Sequence, residues 1–383
     1  MKLVSNQLSP NFTLADSVHA ARQIFARKAP EILEFEHIFC SKNFVLTNSA
    51  RTGLTLLIDG LHLPKGKKIG LPAFICAVVA TPFLAKGYEI EWIDTDENGV
   101  ISAQDFEKKS DKISLVIVPH IFGQRAPIKE IYQIAKAKNI VVIEDSAHLF
   151  DTDYTNCDAK IFSFGREKVF SCVSGGAVVW NSVGGRYICP QPANKCWSCR
   201  HALQPLIFAL ALPWWNAGGK ILPFLASKLG LLPRAVTIRE KAGEEDFPLA
   251  SLPVTQQNIL LRQFQKASQT NSHRKAIADQ WQCALAKLFP HSPIIVPENF
   301  FRVILRIEGN REAFLRKAKS IGFDLHEWDG APIAPRGVDL PAFGYTLGQC
   351  PTAEKFAQSY VTFPTNVRTN VADVLRFEKL WTH

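Results

Sequence analysis

The stretch Ile140-Val141-Val142-Ile143-Glu144-Asp145-Ser146-Ala147-His148 carries the first decision about this chain. A short apolar run that ends abruptly in two carboxylates reads as a buried strand with polar groups at its carboxyl end. In an open α/β sheet that end is where ligands bind. Burying a carboxylate without a partner is costly, so Asp145 calls for a cation or several donors, unless it merely caps a following helix.

Six further runs share this form: Phe44-Val45-Leu46, Lys68-Ile69-Gly70-Leu71, Ile90-Glu91-Trp92-Ile93, Leu115-Val116-Ile117-Val118, Ile161-Phe162-Ser163-Phe164 and Ala177-Val178-Val179-Trp180. Helix-like segments lie between them at 52–62, 75–86, 104–109, 127–138 and 146–150. The alternation predicts an α/β fold with a mostly parallel seven-stranded sheet in a large domain. From 246 the rhythm changes. One long helical stretch, Val254 to Leu288, precedes a strand at 301–305 and a helix at 311–320, which predicts a smaller α+β domain. The expected division is therefore 1–200, an insertion at 201–245, and 246–383. A length of 383 residues suits two domains and a lobe. With 47% hydrophobic and 21% charged residues the chain buries a sizeable core, which excludes disorder, collagen and coiled coil.

The net charge of +9 is localised. Residues 160–241 hold eleven Lys or Arg against only Glu167 and Glu240. No nucleic-acid-binding motif accompanies them, so anionic lipid or a nucleotide diphosphate is the better expectation. Within that region, 202–235 is apolar with Trp214-Trp215 and basic flanks, but Pro213, Lys220, Pro223 and Lys228 interrupt it, and no run approaches the roughly 20 residues a bilayer span needs. It either packs as a helical insertion on the domain or a dimer partner, or lies in a membrane interface. The nine scattered cysteines read as reduced thiols. Cys196-Trp197-Ser198-Cys199 lacks the further ligands zinc needs, and no metal is expected. The first residues, MKLVSNQLSPNF, show no export signal. The expectation is a cytoplasmic enzyme, with peripheral contact to the inner membrane face through 202–235 as an option.

Two more strand ends carry chemistry. Thr47-Asn48-Ser49-Ala50-Arg51-Thr52-Gly53 enters a helix with free N–H groups, which either suits an anion such as phosphate or is an ordinary cap. Ser163-Phe164-Gly165-Arg166-Glu167-Lys168, followed by Gly175-Gly176, places a lysine in a folded loop where a neutral, nucleophilic amine can be favoured. His120 either approaches this region or is a satisfied core histidine. A phosphate cup, then a carboxylate able to hold a protonated pyridine nitrogen, then a lysine is a constellation in fixed order.

In this order the chain resembles the DegT/DnrJ/StrS family of pyridoxal-phosphate sugar aminotransferases. The likeness is carried by Ser49-Ala50-Arg51-Thr52-Gly53-Leu54, Leu71-Pro72-Ala73-Phe74-Ile75-Cys76 and Trp92-Ile93-Asp94-Thr95-Asp96. It continues in Pro119-His120-Ile121-Phe122-Gly123-Gln124, Glu144 to His148, Ser163 to Lys168, Gly175 to Val179 and Cys350-Pro351-Thr352-Ala353-Glu354. It runs strongly over about 40–185 and loosely over 246–365. The resemblance implies the aspartate-aminotransferase-like PLP-transferase fold (fold type I) and pyridoxal 5′-phosphate as cofactor. It implies that Lys168 bonds to the cofactor and moves the proton, and that Asp145 faces the pyridinium nitrogen. His148 matches the residue beside the ring, and Ser163 with the backbone of Ala50 and Arg51 matches the phosphate cup. Cys76 stands where many members stack an aromatic side chain on the ring.

The resemblance also implies a homodimer that moves an amino group from glutamate to a keto group on a nucleotide-activated sugar, in surface-glycan or related polysaccharide biosynthesis. The family's Asn-Tyr-Arg text is missing, with Phe247-Pro248-Leu249-Ala250-Ser251 about there. The alternatives are a sugar dehydratase or a non-sugar transaminase on the same scaffold, or a non-catalytic regulatory descendant. Related dehydratases carry His where Lys168 stands, which favours transamination.

Overall fold

In the computed structural model, residues 2–61, 63–64, 66–181, 190–325 and 328–382 are described. All seven expected strands pair in one sheet: β1 (Phe44–Thr47), β2 (Lys68–Pro72), β3 (Ile90–Ile93), β4 (Ile113–Pro119), β5 (Val141–Asp145), β6 (Ala159–Ser163) and β7 (Gly176–Trp180). Their spatial order is β1-β7-β6-β5-β4-β2-β3, and β7 alone runs opposite to the other six. Every residue of β4 is buried, as expected of a strand covered on both faces. The sequence shows this directly, because Ile113 to Pro119 does not alternate between apolar and polar.

Parallel pairing brings the carboxyl ends of β1, β4, β5 and β6 to one edge of the sheet. The register then sets a row across three strands there: Thr47 lies opposite Gly176, and Gly176 opposite Ser163. Helix α1 (Ala50–Leu61) starts beside that row. Gly176 has to be glycine for a geometric reason, since a Cβ there would sit 2.5 Å from the Ala50 nitrogen and 2.6 Å from the Ser49 carbonyl carbon.

Several helix expectations are corrected. Segment 146–150 is not helical, because Asp145 Oδ1 accepts the Ala147 N–H at 2.9 Å and Asn299 Nδ2 donates to the His148 carbonyl at 2.7 Å. These bonds take backbone groups that a helix would use. Segment 75–86 divides into the short strand Ile75–Cys76, a 3-10 turn at Ala77–Val79 and the helix Thr81–Ala85. The strand forms because it pairs in parallel with the distant Ile333–Ala334, a non-local partner that no local pattern predicts. The long stretch Val254–Leu288 is two helices meeting at Lys266, whose Nζ is drawn to Asp16 at 2.8 Å.

A second layer is built on the antiparallel sheet Ile294–Ile295, Arg302–Arg306 and Tyr360–Pro364. The helices Ala267–Leu288 and Val371–Trp381 cover it through Trp281, Val303, Phe363 and Phe377. The chain's first strand, Val4–Ser5, joins this layer by pairing with Phe323–Asp324, although the sequence places residue 1 in the large domain. Between the layers' connections stand α2 (Lys195–Ala211), a 3-10 turn (Leu212–Ala217) and α3 (Ile221–Lys228).

Candidate active site

The β5, β6 and α1 ends bring the sequence-predicted residues together. Lys168, in the turn after β6, places Nζ 2.8 Å from His148 Nε2. His148 Nδ1 accepts the Phe122 N–H at 3.1 Å, so in the neutral ring Nε2 carries the proton and faces the lysine nitrogen. Burial, then the positive charges of Lys168 and Arg302, hold His148 well below its ordinary 6.5 and keep the ring neutral. Phe122 lies parallel to the His148 ring at 5.7 Å and fixes its plane.

Asp145 ends β5 with one hydrogen bond to its side chain among the described residues, the Ala147 N–H on Oδ1. Burial raises its pKa above the usual 3.8, with the Ala147 N–H and the charge of Lys168 opposing the rise. A carboxylate held this way has capacity for a cationic partner. Ser163 Oγ makes no hydrogen bond to a described residue and sits one strand from Gly176, whose bare backbone lets β7 pass against the start of α1. The first N–H groups of that helix have no intrahelical acceptor. Ser49 caps it, its Oγ accepting the Thr52 N–H at 3.2 Å, which leaves the Ala50 and Arg51 N–H groups for an anion.

The residues present therefore fit pyridoxal phosphate on three counts: an Asp145 oxygen lacking a donor, a cradle at Gly176 that a Cβ would fill, and a serine with a free hydroxyl. Ser163, Ala50 and Arg51 would hold the phosphate, Asp145 the ring nitrogen, and His148 the ring's edge beside Lys168. Cys76 borders the same space. Burial raises its thiol pKa, while Lys168 and Arg51 pull the other way. No aromatic side chain comes from that position, so the cover over the ring face is a small one.

Four residues in this region escaped the sequence reading. Glu240 is fully buried and its Oε1 accepts from the Arg51 guanidinium. Thr237 and Glu240 form a capping box, with Glu240 Oε2 taking the Thr237 N–H at 2.8 Å. The signal was present, since Glu240 is one of only two acids in 160–241. Asn11, Arg274 and Arg302 take the carbonyls of the lysine turn. Asn11 Nδ2 donates to Lys168 O, Arg274 Nη2 to Val169 O at 2.6 Å, and Arg302 Nη2 to Glu167 O at 3.4 Å. Burial, then the neighbouring Arg302, lowers Arg274 to about 9. No sequence signal links residues 11, 168, 274 and 302.

His120 is turned away from this space. Its Nδ1 accepts the Ala126 N–H at 2.9 Å, and its Nε2 meets Glu144 Oε1 at 2.7 Å. Phe247 to Ser251 packs at the entrance to α1, where Asn48 Nδ2 donates to Pro248 O at 2.8 Å and the Arg51 guanidinium lies over the Phe247 ring at 5.2 Å. Cys196 and Cys199 are free thiols on α2. Among the described residues no three His, Cys, Asp or Glu side chains gather as a metal site.

Residues 13–184 match the DegT/DnrJ/EryC1/StrS aminotransferase family, and the match ends just past the Gly175-Gly176 strand. Over those residues the chain is similar to that family. Its members depend on pyridoxal phosphate, and this chain is such a transaminase. Solved structures of the same fold include Spr1654 from Streptococcus pneumoniae in its PMP form, 16% identical over 100% of this chain and 98% of that one, with a TM-score of 0.70. Helicobacter pylori PseC, an aminotransferase involved in the biosynthesis of pseudoaminic acid, is 15% identical over 99% of this chain and 98% of its own, with a TM-score of 0.71. ColD, a GDP-4-keto-6-deoxymannose-3-dehydratase with bound GDP-perosamine, is 17% identical over 97% and 99%, with a TM-score of 0.68. These likenesses share a scaffold on which both amination and dehydration occur, so the residues at the site have to separate the two.

Proposed function

We propose that this aminotransferase moves an amino group from glutamate to a keto group on a nucleotide-activated sugar, as a homodimer, in surface-glycan or related polysaccharide biosynthesis. The observation that carries the reading is the pairing of Lys168 Nζ with His148 Nε2 beside Asp145. A dehydratase of this scaffold has His in place of Lys168, and a regulatory descendant has no need to keep a donor-facing lysine, an unpaired carboxylate and an open serine together. The resemblance to the family supports the donor, the acceptor class and the dimer. Free thiols at all eight described cysteines suit the reducing cytoplasm.

When bound, the cofactor supplies an electron sink that stabilises negative charge on the substrate carbon. The residues then divide the work. Asp145 would face the ring nitrogen and, ionised beside that cation, would keep it protonated. His148, neutral by burial, stands against the Lys168 nitrogen and orients it, and the unprotonated Lys168 amine would take a proton from carbon and return it. Phe122 fixes the imidazole, and the α1 N-terminus with Ser163 would anchor the phosphate and so keep the lysine and the reacting carbon aligned. We read 201–245 as an insertion between the two domains, whose Glu240 fixes the Arg51 side chain at the cup.

The test is the visible spectrum of the protein with pyridoxal phosphate, then borohydride reduction and peptide mapping. A yellow species trapped on Lys168, absent in Lys168→Ala and bleached by glutamate, is the expected result. A panel of keto-sugar nucleotides then identifies the acceptor. Label on no residue, or a bound cofactor that glutamate leaves unchanged, would overturn the reading.

A further inference from the structure

Helix α3, which follows α2 and the turn at Leu212–Ala217, is inside out. In α3 the buried positions are Pro223 and Ala226, while Ile221, Phe224 and Leu225 point outward, 51–61% exposed. Leu210, Trp214 and Leu229 extend the same surface, at 55%, 67% and 75%. A helix that packs on its own domain turns its large apolar side chains inward. This one turns its small ones inward and leaves the large ones in a contiguous exposed patch, which marks an interaction surface.

Charge identifies the occupant. Residues 190–238 contain five Lys or Arg and no Asp or Glu. Lys220, Lys228 and Arg234 are exposed beside the patch and make no ion pair among the described residues. Lys220 lies over the Trp215 ring at 5.8 Å and Lys228 over Phe224 at 5.7 Å, so the cations rest on the apolar surface with their heads free to reach outward. A second copy docked through the same face would set these cations against their own kind, because a two-fold interface apposes identical patches. An anionic bilayer supplies both missing complements, an apolar layer for the side chains and negative headgroups for the cations. Tryptophan at the boundary suits that setting. No described helix is long and apolar enough to cross a membrane, so this segment lies in the interface.

We propose that Leu210 to Leu229 is a docking surface for the anionic face of a lipid bilayer. After α3 the chain runs back to Glu240 and its contact with Arg51, so docking sets the candidate active site near the membrane. The surface shares no residue with that site, and the proposal stands independently of the aminotransferase reading.

The test is flotation of the full chain loaded with pyridoxal phosphate. One set of vesicles holds phosphatidylcholine and phosphatidylglycerol in equal parts, the other phosphatidylcholine alone. Wild type is expected to float with the mixed vesicles, weakly with the neutral ones, and less at high salt. Removing Lys220, Lys228 and Arg234 together as Gln variants is expected to weaken binding about a hundredfold, at about fivefold per cation. Trp214→Ser with Phe224→Ser and Leu225→Ser is expected to abolish flotation while leaving the melting temperature and visible spectrum unchanged, which separates lost docking from misfolding. The proposal is overturned if wild type stays with the soluble fraction for both vesicles, or if the serine variant floats as wild type does. It is equally overturned if the serine substitutions change the sedimenting mass and leave flotation untouched, which would make this face a contact between copies.

Discussion

Gly176→Ala is the sharpest perturbation of the cofactor cradle, because the added Cβ meets backbone and not the movable end of a side chain. It would stand 2.5 Å from Ala50 N, 2.6 Å from Ser49 C and 2.8 Å from Ala50 Cα, all closer than van der Waals contact permits. The first turn of α1 and the start of β7 must move apart. Overpacking of this kind costs about 1–3 kcal/mol in stability. The movement also draws the helix N-terminus away from the phosphate position, an interaction worth about 0.3–2 kcal/mol and hence about 2- to 30-fold in cofactor affinity. Absorbance titration with pyridoxal phosphate reads the second effect and urea unfolding the first. Gly53→Ala is the control. Its Cβ would meet a side chain, Val178 Cγ2 at 2.6 Å, and the helix gains about 1 kcal/mol of propensity against the crowding, so cofactor affinity is expected to hold. If Gly176→Ala binds the cofactor as wild type does and unfolds at the same urea concentration, the cradle argument is refuted.

Two further outcomes follow from titratable groups buried away from the reacting atoms. Lys160 is fully buried between Glu144 and Asp151, so Lys160→Met should cost about 3–5 kcal/mol in urea unfolding, with turnover per folded molecule little changed; an unchanged midpoint would contradict this. His201 is lowered by burial from 6.5 to about 4, so the unfolded chain binds the proton more readily between those values. Stability should then fall by at most about 3 kcal/mol as pH drops from about 6.5 towards 4, and His201→Gln should flatten that dependence in a pH series of melts.

What was legible in the sequence was what is local. Seven apolar runs became seven strands, since each run needs only its own residues to be buried, and the polar residues closing them marked the strand ends. The candidates Asp145, Ser163 and Lys168 were picked out that way. The short strand Ile75–Cys76 was not, because what makes it a strand is Ile333–Ala334, more than two hundred and fifty residues away. Glu240 lies between these cases. Its isolation among cations was visible, but only the fold shows that its partner is Arg51.

The carbonyls around Lys168 show why the rest of the site was hidden. The role proposed for Lys168 requires it to return to one position, yet its turn after β6 has no helix or sheet ladder to fix it. The fold supplies the constraint from three remote places: Asn11 in the N-terminal segment, Arg274 in the helix Ala267–Leu288 and Arg302 in the strand Arg302–Arg306. Arg274 also donates to Asn11 Oδ1 at 3.2 Å, so two of the three clamps hold each other. Two guanidinium groups buried this close repel each other. The structure accepts that cost where neutral carbonyls receive the donors, and the charge of Arg302 adds to the burial that keeps His148 uncharged. The second layer thus does more than cover the sheet, since the position of the lysine and the protonation of its histidine partner both depend on residues it contributes.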